Sequence, residues 1–551
     1  MNLINLALNM LAPKARAFEE STKDPRFAQK RILLKYLVRN KNTEYGRKYD
    51  FSKISSIEAY QAKVPITSYE VIRPLIDRMA SGESNIITAD RVTFFGITSG
   101  TTGRPKLIPV TKYSHNKNAD LMRLWAYYIN KGHPGVFSGK ILSIISPEVK
   151  NFTKAGIPYG PEDGHAYNNL PLPIRSLYVL PYQVFYISDY DARYYAILRI
   201  AMEQDVTTIA TLNPSTISLL CERIPKVQDA IIEDIEKGTL NKDIKIPDDI
   251  RKIIEKRLKP NPKRADDLRA ILKKNGKLLP KYFWPHMELV ECWKGGTVKL
   301  YLKELPQYLG EVAFRDFGYL STEARSSVPL NDIGASSVLA INTNFYEFIP
   351  REDIHKPNKR ILLCDELEKG KEYVVIVTTP SGLCRYDTDD VIIVNGFFNK
   401  TPMIEFVQKG KNAISLTGEK IYESHINDSV NTAADKHGIS ADFFSSSVQM
   451  DSPPRYIFLV EFNHEPSREE KMAFLKCIEE ELCKENSEYK DIREQQLLGH
   501  PILKVVKKGD FEKYRARKIS EGRHDGQFKM PQLVSDTDFQ NNFTIAEEIT
   551  P

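Results

Sequence analysis

The sequence predicts an α/β protein in two parts: a large N-terminal domain of mixed β-sheets with flanking helices over residues 1–408, and a small α+β C-terminal domain over residues 413–551. Three observations predict this. Between residues 91 and 215, short apolar runs alternate with segments of helical periodicity, the pattern of strands joined by crossover helices. Strand-like runs resume at Met287–Cys292 and continue through Val338–Phe348 and Tyr373–Thr378. A Lys/Gly-rich break at Lys409–Asn412, suited to a hinge, then precedes a strand, a long helix and a second strand.

Taken in order, residues 1–90 read as mainly helical, with an amphipathic packing helix in Met1–Leu11 and helices over Asp24–Arg39 and Ser68–Ala80. Val92–Ile97 and Leu107–Val110 read as strands on either side of a loop, and Lys140–Ser146 as a short buried strand. Asp189–Glu203 is a helix, Val206–Thr211 a strand, and Asn213-Pro214 opens the next helix with Asn213 as cap and Pro214 at its first position. Residues 222–280 form a charged helical insert. Its Lys and Arg residues are interleaved with Asp and Glu and no aromatics accompany them, which reads as a solvated helical face, not a nucleic-acid surface. In the C-terminal part, Tyr456–Glu461 and Ile502–Val506 are strands around a helix over Ser467–Cys483, with a loose tail after Val534.

The bulk properties narrow the class. A charged fraction of 27% and a net charge of +6 over 551 residues lack the concentrated basic stripe of a nucleic-acid binder. Six cysteines without C-x-x-C spacing argue against a zinc site or a disulfide scaffold and fit a reducing compartment, so a cytoplasmic location is expected. Met1–Leu11 lacks a basic start and a cleavage site, and no stretch reaches the roughly 18 apolar residues that span a bilayer, so no membrane partner is expected.

Four clusters carry chemistry. Thr98-Ser99-Gly100-Thr101-Thr102-Gly103, ending on Lys106, supplies backbone N–H groups and hydroxyls that can wrap a polyphosphate; alone it also reads as a surface loop. It has neither Walker spacing nor the dinucleotide fingerprint. In Phe317-Gly318-Tyr319-Leu320-Ser321-Thr322-Glu323, a glutamate after two hydroxyls at a strand end suits Mg²⁺ shared with phosphates, and the aromatic four residues earlier suits a purine; an exposed turn is the plain alternative. Arg385-Tyr386-Asp387-Thr388-Asp389-Asp390 places three carboxylates together, fit for a divalent ion, for ribose hydroxyls or for a polar turn. Lys529, in Gly526-Gln527-Phe528-Lys529-Met530-Pro531, is a late lysine that by itself reads as a surface residue.

Together, in this order and spacing, the clusters resemble the Gretchen-Hagen-type (auxin-responsive) acyl acid amido synthetases, a branch of the acyl-adenylate-forming superfamily, over nearly the whole chain. Thr98–Lys106 stands where that family has S-S-G-T-S-x-G-x-x-K, and Tyr319–Glu323 where it has Y-x-S-S-E. Tyr346-Glu347-Phe348-Ile349-Pro350 matches a Y-F-E-F-I-P-like strand, Arg385–Val391 stands at R-Y-R-V-G-D-V, and Gln527-Phe528-Lys529 parallels Q-Y-K-x-P. The resemblance implies a large adenylate-forming domain and a mobile lid. It places the ATP triphosphate on Thr98, Ser99, Gly100, Thr101 and Thr102, Mg²⁺ on Glu323, adenine near Tyr319, and the ribose on Asp390. Ser321, Thr322 and Tyr346 complete the expected nucleotide set, and Lys529 reaches the α-phosphate or acyl carboxylate when the lid closes.

The implied reaction activates a small carboxylic acid as its adenylate and passes the acyl group to an amine, expected to be an amino acid, releasing pyrophosphate and AMP. No Ser/His/Asp or Cys/His signature is present or needed. The rival readings are an acyl-CoA ligase with the same first step and a non-catalytic binder of acyl compounds or nucleotide. The altered Arg385–Asp390 segment motivates the second, since Asp387 replaces a basic residue and Asp389 the glycine before Asp390; Leu320, bulkier than the small residue usual there, is a further departure. Candidate acyl-pocket segments are Leu142–Pro147, Pro158–Pro173 and Asn213–Ser215. Tyr159, Tyr167 and Tyr178 either line a pocket for an aromatic acid or belong to the core. A monomer is the working expectation for assembly.

Overall fold

The computed structural model describes residues 3–97, 106–295, 299–354, 356–409, 414, 416, 419, 421–451, 453–494, 498–521 and 528–551. The chain separates into two compact units, Met1–Gly295 with Leu302–Lys409, and Gly410–Pro551 with Gly296–Tyr301.

Among the described residues the larger unit holds three sheets. Lys140–Ser143, Val206–Ala210, Leu289–Glu291 and Ala313–Arg315 run parallel in chain order, as the strand–helix alternation predicts. Val206–Ala210 is buried at every position, as a strand covered on both faces should be. Helix Tyr190–Ala201 crosses between the first two strands, and its cap, Asp189, accepts from the Ala192 N–H. The next helix runs Ser215–Lys237, with Pro214 already helical at the cap position.

In the second sheet, Val92–Ile97 pairs antiparallel with Leu107–Thr111 and parallel with Pro158–Gly160, which pairs in turn with Asn151–Phe152. The expected hairpin around the 98–105 loop is therefore present in its two strands, while the loop itself lies outside the described residues.

The third sheet is antiparallel throughout, in the order Phe345–Pro350, Glu372–Thr378, Tyr386–Phe398, Thr401–Lys409, Ser337–Leu339, Ser327–Val328. The apolar run Val338–Phe348 is not one strand. It breaks into Ser337–Leu339 and Phe345–Pro350, which sit four places apart in the sheet. Gln29 explains the break. From the helix Pro25–Asn40, it donates to the Ile341 and Asn344 carbonyls (2.8 and 2.7 Å) and accepts from the Tyr346 N–H (2.7 Å), so the turn's backbone groups are satisfied by a side chain and not by a ladder.

The smaller unit has a four-stranded sheet, Ala441–Gln449, Arg455–Phe462, Ile502–Val506 and Ile545–Ile549, whose middle pair is parallel. Helix Arg468–Glu485 links that pair, opened by a capping box of Ser467 and Glu470. The tail expected to be loose is ordered. Phe539 and Phe543 pack with Phe511 and Tyr514, and Ile545–Ile549 closes the sheet edge against Ile502–Val506. All six cysteines are unpaired thiols. Among the described residues no helix is long and apolar enough to cross a membrane.

Candidate functional site

The Tyr319–Glu323 motif folds back on itself. The Tyr319 carbonyl accepts from the Ser326 N–H (2.9 Å), Leu320 bridges Arg325, and the Ser321 N–H donates to Ala324 (2.9 Å), which puts Thr322 and Glu323 at the tip of a tight turn. Gly318 enters the turn with φ +81°, and a Cβ there would lie 2.9 Å from the Ser327 carbonyl oxygen. The tip rests on the strand that leads into the 98–105 loop. The Thr322 hydroxyl donates to the Ile97 carbonyl (3.4 Å), and the Thr322 methyl sits 2.6 Å from where a Cβ on Gly96 would be. Glycine at 96 is what lets these two segments, more than two hundred residues apart, meet.

Behind the turn lies the third cluster. The Tyr319 hydroxyl donates to Asp390 Oδ2 at 2.6 Å, both residues being buried, and the Tyr319 ring stacks on Phe406 (centroids 6.0 Å, planes 17° apart). Burial, with Asp390 adding to it, pushes the Tyr319 phenol well above its ordinary range, so it stays a donor. The Tyr386 hydroxyl reaches Glu323 Oε1 at 3.4 Å, and burial followed by the Glu323 charge raises that phenol too. Two hydrogen-bonded pairs, Tyr319–Asp390 and Glu323–Tyr386, thus tie the turn to the segment 386–390.

The segment carrying Asp390 is a bulge. Ile376 pairs with Asp387 and Val374 with Val391, so Thr388, Asp389 and Asp390 share the single position opposite Val375, whose carbonyl accepts from the Thr388 hydroxyl (2.9 Å). Asp389 takes φ +61°, the left-handed conformation that a glycine adopts without steric cost. Asp387 accepts from the Asp389 N–H (3.0 Å), a local side-chain bond that supports this backbone. The two departures at 387 and 389 are therefore structurally coupled.

Sequence reasoning missed the brace beneath the bulge. Arg385 grips Glu347 with two hydrogen bonds (Nε–Oε2 2.8 Å, Nη2–Oε1 2.9 Å), and its remaining nitrogen donates to the Gln61 and Val64 carbonyls (2.9 and 2.7 Å). In the sequence the two residues stand in separate motifs, thirty-eight positions apart. Tyr346 is wholly enclosed; its hydroxyl accepts from Asn344 (2.9 Å) and donates to the Ser326 carbonyl (3.3 Å), so it supports the turn from within the core. Lys106 leans over the Tyr69 ring at 5.6 Å. Tyr167 and Tyr178 pack edge to face (5.0 Å) and, with Tyr182, wall a cavity of about 680 Å³.

Thr98, Ser99, Gly100, Thr101 and Thr102 lie outside the described residues, as do residues 410–412 of the expected hinge. Lys529 lies in the smaller unit. Its neighbours Phe528 and Met530 are buried in that unit's core, so the alternation of an extended segment leaves Lys529 exposed. Among the described residues no group of three or more His, Cys, Asp or Glu is placed to hold a metal by itself.

Residues 14–314 match the GH3 family N-terminal domain, 337–409 the GH3 family central domain, and 424–538 the GH3 family C-terminal domain. An indole-3-acetic acid-amido synthetase of Arabidopsis thaliana is 26% identical over 548 residues, covering 95% of this chain and 91% of the relative. A jasmonoyl–L-amino acid synthetase of Nicotiana attenuata is also 26% identical, with 94% and 93% covered. The solved structure of an acyl acid amido synthetase superposes with a TM-score of 0.85 at 24% identity, over 97% of this chain and 96% of that one, and so shares the fold. With three consecutive domain matches spanning most of its length, the chain belongs to the GH3 family.

Proposed function

We propose that the protein is an ATP-dependent acyl acid amido synthetase that adenylates a small carboxylic acid and transfers the acyl group to an amino acid. The observation that carries this reading is the seat of Thr322 on Gly96 and Ile97, which joins the Glu323 turn to the strand entering the phosphate loop. The names of the relatives support it: each conjugates an acid to an amine, and the conjugate is with an amino acid in the jasmonoyl case. A further solved acyl acid amido synthetase is in complex with 2,4-DB.

In this reading the loop of Thr98–Thr102 cradles the triphosphate, and Ser321 and Thr322 present hydroxyls beside it. Asp390, oriented by Tyr319, accepts from the ribose hydroxyls, and the Tyr319 ring flanks the adenine. Tyr346 acts indirectly, by supporting the turn. Glu323 fits Mg²⁺: it offers hard carboxylate oxygens with, among the described residues, no competing ligand cluster, the donor set of an ion that takes one or two carboxylates and otherwise phosphates and water. Mg²⁺ bound there supplies charge neutralisation at the phosphoryl oxygens. The carboxylate of the acid attacks the α-phosphate, and Lys529, carried on a lid hinged at 409–412, offsets the charge that builds there. The division of the chain into units after Lys409 supports the hinge.

Carboxylate-dependent ATP–pyrophosphate exchange tests the proposal, with a panel of aromatic and aliphatic acids. Exchange with at least one acid, lost in Glu323→Ala, is the expected result. ATP binding without exchange under any acid would overturn it in favour of a non-catalytic binder. Transfer to coenzyme A with no amino acid accepted would make the protein a thiol ligase.

A further inference from the structure

Beside the Glu323 turn lies a second constellation that the adenylation chemistry does not use. Alternate residues of a strand share a face, so Phe94 points the same way as Gly96. Gly96 faces Thr322, and Phe94 carries the His165 ring, stacked at 4.1 Å with planes 6° apart. His165 sits on the helix Glu162–Asn168, which starts two residues after Gly160, the partner of Gly96 in the sheet. Glu162 of that helix lies 4.0 Å from Arg325, two residues beyond Glu323. The strand face that seats the Glu323 turn at Gly96 thus carries, one step along at Phe94, the ring on which the imidazole stacks.

Its partner is Glu148, and the chain is built to bring the two together. A Cβ on Gly160 would stand 1.8 Å from the Glu148 carbonyl oxygen, and one on Gly164 would stand 2.6 Å from the Glu148 nitrogen. Only glycine at both positions allows this backbone approach. Glu148 Oε1 then lies 2.6 Å from His165 Nδ1, Oε2 accepts from Asn168 (2.5 Å), and the Glu148 N–H donates to the Tyr182 hydroxyl. Burial pushes the Glu148 carboxyl up, but the hydrogen bonds from His165 and Asn168 outweigh it and hold it below its usual value. An ionised carboxylate can only accept, so Nδ1 carries the hydrogen and Nε2 the basic lone pair. An imidazole fixed this way by a carboxylate is prepared to take up a proton. His115, whose imidazole burial chiefly holds below its usual value, meets the ring edge-on at 5.5 Å.

We infer that His165, positioned by Glu148, is the general base of the amide-forming half-reaction; this rests on the function proposed above. The amine nitrogen bonds to the acyl carbon of the adenylate, its surplus proton passes to His165 Nε2, and the carbon–oxygen bond to phosphate breaks as AMP leaves with the electron pair.

The test separates the half-reactions. Exchange reads adenylation, and single-turnover transfer from enzyme-bound acyl-adenylate to an L-amino acid reads the proposal. His165→Asn, whose amide can still donate to Glu148, is expected to slow transfer about 100-fold and to slow exchange by a far smaller factor. Glu148→Gln, nearly isosteric, is expected to cause a smaller loss confined to transfer, in rate and not in amino-acid KM. Parallel losses in both half-reactions, or unimpaired transfer in His165→Asn, would overturn the proposal and leave the pair as a structural brace. Absence of exchange in the wild-type protein would sink adenylation itself, and the role of His165 with it.

Discussion

Arg385 and Glu347 form a buried two-pronged ion pair, 2.8 and 2.9 Å across, that locks the strand Phe345–Pro350 to the start of the bulge bearing Asp390. Removing the charge of one partner leaves the other buried and uncompensated. Glu347→Gln is expected to cost about 3–5 kcal/mol of stability, read by denaturant unfolding. Replacing both by apolar residues of matched volume is expected to cost much less.

Gly96 governs the meeting of the strand Val92–Ile97 with the Glu323 turn. In Gly96→Ala the new Cβ displaces the Thr322 methyl and breaks the Thr322–Ile97 hydrogen bond. Exchange is expected to fall as much as about 100-fold with little change in melting temperature. Thr322→Ser removes the methyl that clashes, so the double variant is expected to recover much of the loss, a coupling that a double-mutant cycle would measure.

Asp389 holds φ +61° where glycine is stereochemically at ease. Asp389→Val is expected to destabilise the chain by about 1–2 kcal/mol. Asp389→Gly is expected to leave the melting temperature nearly unchanged. By removing a carboxylate next to Asp390, it is also expected to lower the KM for ATP roughly fivefold, about 1 kcal/mol.

Glu291 ends a central strand of the parallel sheet, where burial raises its carboxyl to about 8, against a partial offset from Arg315. Asp316 is raised to about 7 for the same reason, although the Lys294 and Gly318 N–H groups and the Lys294 charge oppose the shift. In this window the folded chain keeps protons that the unfolded chain has released. The stability these groups contribute is therefore full below about pH 4 and declines as pH rises, levelling near 8. Glu291→Gln is expected to flatten the decline by up to about 1.4 kcal/mol per pH unit between 5 and 8, measured by urea unfolding across that range.

Much of this was legible in the residues. Val92–Ile97 and Ile502–Val506 are bounded apolar runs, and Asp189 and Ser467 are caps whose hydrogen bonds close within three residues, so local chemistry announces them. The Tyr319–Glu323 and Arg385–Asp390 clusters stood out because each concentrates hydroxyl or charged side chains in a few positions, whereas the lone Lys529 stood out only through the family resemblance. The break inside 338–348 was invisible because the group that satisfies it, Gln29, lies some three hundred residues upstream. The strand Ile545–Ile549 was missed because its short alternating run becomes a strand only beside Ile502–Val506.

The sequence by itself determined most of the local states, namely the strands and helices whose periodicity, caps and turn residues are complete within the segment, because propensity, capping and turn preference act over a few residues. Only the tertiary structure decided that Thr322 sits on Gly96, that Arg385 crosses to Glu347, and that Glu148 reaches His165 past Gly160 and Gly164. Each of these depends on a close backbone approach or a buried charge pair whose partners are distant in the chain, and burial and steric fit act across that distance only once the core has assembled.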